Sequence, residues 1–154
     1  MSHRIEKTLD GWQSVAFTLL RLAVGVIFVV HGAMKLSDIT GTAHAFAAQG
    51  IPLAGLSVYL AIAGEFLGGL GVLIGLLTRV AALGNFCVMV VAIGFVHLGH
   101  GLLGKNGGWE YPLVLLLTSL LFITRGAGPF SVDALISKLR QRPARHGSEA
   151  AHPV

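Results

Sequence analysis

Glu65 stands alone in GLSVYLAIAGEFLGGLGVLIGLL (55–77), a run otherwise made of apolar, small or hydroxylated residues. A carboxylate inside a run of membrane-spanning length costs a few kcal/mol even on a lenient insertion scale, so a partner or a function is required of it. Other polar groups recur at the ends of neighbouring runs. His31 and Lys35 are one helical turn apart, His97 and His100 have i, i+3 spacing, and Glu110 opens the last apolar segment. Gathered in one place, these groups could relay protons or bind a small molecule, with Lys35 or Arg21 steadying anionic charge. The same imidazoles and carboxylates, His31, Glu65, His97, His100 and Glu110, are ligand types suited to zinc, copper or iron. No compact metal motif accompanies them, and a ligand set assembled across helices has no local sequence signature.

These residues need apolar helices to position them. The chain of 154 residues is 54% hydrophobic and 12% charged, against about 25% charged in an ordinary soluble domain. Mean hydropathy is +0.77, and the apolar residues form long runs instead of an alternating pattern. The expected fold is an all-α membrane protein. Four segments, 15–34, 57–77, 80–98 and 110–124, approach the roughly 20 residues that span about 30 Å of hydrocarbon, the fourth being short. They predict a four-helix transmembrane bundle over 15–137, preceded by a cytoplasmic segment, 1–14, and followed by a basic, disordered cytoplasmic tail, 138–154. No signal-cleavage pattern follows the first run, which therefore reads as a helix.

Lys and Arg placement orients the bundle. Arg4 and Lys7 precede the first run, Arg79 lies in the second turn, and Arg125, Lys138, Arg140, Arg142 and Arg145 follow the last. The positive-inside rule then places both termini in the cytoplasm. Arg21 would snorkel to that surface. On the outer side, residues 35–56 form a long connection with room for a short amphipathic piece, and 99–109 form a glycine-rich loop. His31, Lys35, Glu65, His97, His100 and Glu110 fall in the outer half, because Glu65 is eight residues, about 12 Å, along its helix from Ser57. The basic residues lie mainly at the chain ends and make no stripe for phosphates, so nucleic acid is excluded as a partner.

Gly64, Gly68, Gly71 and Gly75 form a small face that suits either an internal helix contact or a homodimer seam. Asn85 reads as interhelical glue, and Cys87, the sole cysteine, as a small buried hydrophobe. One cysteine allows no disulfide exchange within the chain.

The segments RLAVGVIFVVHGAMKL (21–36), GEFLGGLGVLIGLLTRVAAL (64–83), HLGHG (97–101), GGWEY (107–111) and GAGPFSVDALI (126–136) resemble the DoxX family of small four-helix bacterial membrane proteins, in the family's order and spacing. The resemblance implies an inner-membrane protein linked to redox and quinone biology. The family's recurring polar positions correspond to Arg21, His31, Lys35, Glu65, Arg79, His97, Glu110 and Asp133. The thiol chemistry of wider relatives needs cysteine pairs that this chain lacks. Two classes of function follow: a polar cavity that serves a quinone, a proton relay or another small ligand, with a bound metal as a variant, or a non-catalytic subunit that scaffolds a redox-complex partner.

Overall fold

The computed structural model describes residues 3–141, helices joined by turns and short loops, with no strand among them. Helix α1 runs His3–Ser37, α2 Ile39–Ala48, α3 Ala54–Ile74 and α4 Thr78–His100, α5 Glu110–Arg125 and α6 Val132–Arg140. Three stretches, Thr8–Ser37, Ala54–Ile74 and Thr78–His100, are long and apolar enough to cross a membrane. Helix α5 has 16 residues, a length of about 24 Å at ~1.5 Å per residue.

Two features extend the expected outline. Helix α1 is continuous from His3, so the segment before the first apolar run is largely helical and prolongs it. At the other end, helix α6 carries order through Lys138 to Arg140, where the sequence suggested a disordered tail; residues 142–154 lie outside the described ones. Ser131 caps α6, its Oγ accepting from the Ala134 amide at 3.1 Å, and so satisfies a donor that the first turn leaves free.

Helix α1 packs along α3, α3 against α4, and α4 against α5. The core is a column of Phe17, Val24, Phe28, Val72, Ala82, Met89, Leu115 and Phe122. Phe17 and Phe122 meet edge to face at 5.5 Å between centroids, an arrangement that aligns ring edge and face charge. Lipid-facing leucines and valines remain exposed on the outside, as in a protein whose solvent there is hydrocarbon.

Glycines decide how close the helices come. A Cβ at Gly32 would lie 2.5 Å from the Phe66 nitrogen, and one at Gly25 would lie 2.7 Å from the Leu73 Cα. On the other face of α3, Gly64 sits against Gly84, and Gly68 and Gly71 sit against Ala81. Of the two roles open to the small stripe, the internal contact accounts for these three glycines. Asn85 is interhelical glue as expected: its Nδ2 donates to the Gly64 carbonyl at 2.8 Å.

Candidate functional site

Helices α1, α3, α4 and α5, with the end of α2 and the chain that follows it, line an open-sided cavity of about 820 Å³. Its wall is mostly apolar, including Phe28, Leu60, Met89, Phe95 and Leu115. Into it project His31, Lys35, Glu65 and His97. Glu65 is 3% exposed, and its Oε2 accepts from Lys35 Nζ at 2.6 Å. The charge in the apolar run therefore has its partner one helix away, which answers the desolvation cost of the carboxylate. Lys35 reaches it because α1 and α3 touch at Gly32 and Phe66, one residue along from Glu65.

Both π-helical turns of the described chain flank this cavity. Residues Ala63–Leu67 of α3 contain Glu65, and Ala92–His97 of α4 end at His97. A π turn inserts a residue into the ordinary helical repeat and is frequent at functional sites. After the second π turn the helix tightens to a 3₁₀ turn at Leu98–His100, and the two histidines have different partners. His97 lines the cavity, with Nδ1 2.7 Å from the Gly107 carbonyl, whereas His100 turns back to the Val96 carbonyl at 2.9 Å and is not in the lining. His31 is at the cavity with Nδ1 2.9 Å from the Ile27 carbonyl of its own helix.

Glu110 also departs from the expected cluster. It is exposed, and its Oε1 accepts from the Gly104 amide at 2.7 Å, so it closes the 99–109 loop onto the start of α5. Sequence spacing placed it at the right depth but could not show that loop backbone would satisfy it. Among the described residues, no group of three or more His, Cys, Asp or Glu side chains is close enough to hold a metal ion.

Arg21 belongs to the opposite end of the bundle, and it does not snorkel. It is 2% exposed. Its guanidinium donates to the Val72 and Leu73 carbonyls at 2.8 and 2.9 Å and to the Phe130 carbonyl at 2.7 Å. A cation at the C-terminal end of α3 meets the Leu73 carbonyl in the helix's last turn, shares the Val72 carbonyl with the Gly75 amide, and faces the negative end of the helix dipole. Asp133 does the complementary work at the start of α4, where its carboxylate accepts from the Leu77 and Thr78 amides at 2.8 and 3.0 Å and from the Thr78 hydroxyl at 3.0 Å. Two of the polar positions suggested by resemblance therefore secure helix ends.

Cys87, expected to be buried, is exposed and lines the cavity. Tyr111 and Gln49 are further polar residues of the wall that sequence reasoning did not single out. Tyr111 follows Glu110 directly, and its place at the helix start was the available clue.

The DoxX family model matches residues 16–98. The chain belongs to the DoxX family. Among its DoxX-type relatives, CatD of Bacillus subtilis, provisionally named an oxidoreductase, is 32% identical over 120 residues, 78% of this chain and 86% of CatD. The inner membrane protein YqjF of Escherichia coli is 28% identical over 128 residues, 82% of this chain and 95% of YqjF. An uncharacterised membrane protein of Mycobacterium tuberculosis is 35% identical over 131 residues, 77% of this chain and 80% of its relative. No solved structure matches at a significant level. The family and the three apolar helices make this DoxX protein a multi-pass protein of the inner membrane.

Proposed function

We propose that the cavity binds a small amphipathic ring compound of the quinone class and that the Lys35–Glu65 pair holds its polar end. The observation that carries this reading is the ion pair itself, 2.6 Å long and set in an otherwise mostly apolar cavity of about 820 Å³. A ring with carbonyl oxygens would accept from Lys35, while its apolar body would lie against Phe28, Leu60 and Phe95. Glu65 and the imidazoles of His31 and His97 are the groups that would exchange protons with it. The oxidoreductase name of CatD agrees in kind. Electrons would come from a redox partner, because this role for the chain is to bind the ring and handle protons.

The test is calorimetric titration of the protein in lipid nanodiscs with a short-chain quinone. Glu65→Gln retains shape and hydrogen-bonding capacity but cannot ionise. Saturable binding by the parent, weakened at least ~10-fold in Glu65→Gln and His97→Ala at normal folded yield, is the expected result, a loss of about 1.4 kcal/mol. Absent binding, or equal affinity in all three proteins, overturns the reading.

We also infer that α5 completes a fourth crossing and that both termini face the cytoplasm. Its apolar length, its packing along α4 and the basic residues at the chain ends support this topology. A C-terminal alkaline phosphatase fusion is expected to be inactive; activity there sinks the topology.

A further inference from the structure

Helix α6 leaves its apolar face uncovered. Leu135 and Leu139, one turn apart, are each 57% exposed, and Phe130 just before the helix is 58% exposed. Lys138 and Arg140 lie in the last turn. The first turn is fixed in place: the Asp133 amide donates to the Gly75 carbonyl at 2.9 Å, and the Asp133 carboxylate binds the amides that open α4. The helix thus starts where α3 ends and α4 begins, at the turn between two helices long and apolar enough to span a membrane.

We propose that α6 is an interfacial helix that docks on anionic phospholipid headgroups of the leaflet on its own side. Leu135 and Leu139 enter the acyl boundary, and Lys138 and Arg140 meet the phosphates. Charge complementarity selects this occupant: exposed leucines beside two cations suit an anionic membrane surface, where apolar burial and electrostatic attraction add. Ser137, roughly 200° around the helix from Leu135 at ~100° per residue, is exposed on the opposite face, at a groove it shares with Leu76 and Leu77.

The test uses the full chain in a Cys87→Ser background, spin-labelled at Leu139→Cys or Ser137→Cys and placed in nanodiscs. One set of discs is phosphatidylcholine, and the other is phosphatidylcholine with phosphatidylglycerol. The Leu139 label is expected to collide with oxygen in preference to a nickel chelate in the anionic discs, while the Ser137 label does the reverse. Lys138→Gln with Arg140→Gln removes two charges and is expected to lower the docked-to-undocked ratio about 30-fold in anionic discs alone. A label at Leu135→Cys repeats the measurement should the Leu139 change disturb the fold. Equal water access at 139 and 137 in anionic discs overturns the proposal. Protection that ignores both lipid charge and the two cations also overturns it and points to a protein or a second copy on that face.

Discussion

Replacing Gly32 by Ala tests whether helix contact builds the ion pair. The new Cβ would stand 2.5 Å from the Phe66 nitrogen and 2.7 Å from its Cα. Ordinary contact begins near 3.4 Å, and because the obstacle is backbone, the two helices must part by about 1 Å. Overpacking of this kind costs about 1–3 kcal/mol, and a rigid obstacle argues for the upper end. Alanine returns about 1 kcal/mol of helix propensity, which leaves a net loss near 2 kcal/mol. For a chain of this size, that lowers the thermal midpoint by about 4–8 °C. Gly11→Ala is the control: it lies in the same helix, with nothing within 4 Å of the added carbon, and is expected to raise the midpoint by a few degrees. Both are read by thermal unfolding in one detergent. The Lys35–Glu65 distance, 2.6 Å in the parent, should lengthen with the parting helices and weaken quinone binding in Gly32→Ala alone. A Gly32→Ala protein as stable as Gly11→Ala, with parental binding, refutes the claim that this contact sets the site.

Three further outcomes follow from the helix ends and the α3–α4 seam. Arg21→Met strands the Leu73 and Phe130 carbonyls, now bonded at 2.9 and 2.7 Å, while the Val72 carbonyl keeps the Gly75 amide, and should cost about 2–5 kcal/mol in denaturant titration. Arg21→Lys should recover only part of this, because an ammonium lacks the planar fork. Asp133→Ala removes the cap from α4 and should cost about 1–2 kcal/mol, seen as a lower unfolding midpoint with quinone binding retained. Asn85→Leu loses the bond to Gly64 but also removes Oδ1, a buried acceptor with no hydrogen-bond partner; its stability should stay within about 1 kcal/mol of the parent, and a larger loss would show that the amide does more than join two helices.

The spans were legible because hydropathy is a local property summed over a window, and Glu65 stood out because it violates that pattern. Its pairing with Lys35 was within reach once both fell at one depth. The π turns were not legible, since no residue type marks them, and neither was the 3₁₀ turn Leu98–His100, in which His100 binds the Val96 carbonyl instead of joining His97 at the cavity. Arg21 was misread for a different reason. Snorkelling is the default for a cation near a helix end, but the Phe130 carbonyl it binds lies 109 residues away, beyond any periodicity. Glu110 was claimed by loop backbone, and a glycine-rich loop gives no sign of where its amides will point.

The bonds of Arg21 and Asp133 also imply an order of assembly. Residues 130–133 are made after the first three apolar helices, so the turn at 75–78 must form with the Leu77 and Thr78 amides still waiting for the Asp133 carboxylate. Arg21 waits likewise for the Phe130 carbonyl. The bundle is therefore latched late, by the segment made last, and a chain stalled before Phe130 would hold its spanning helices in place with the latch still open.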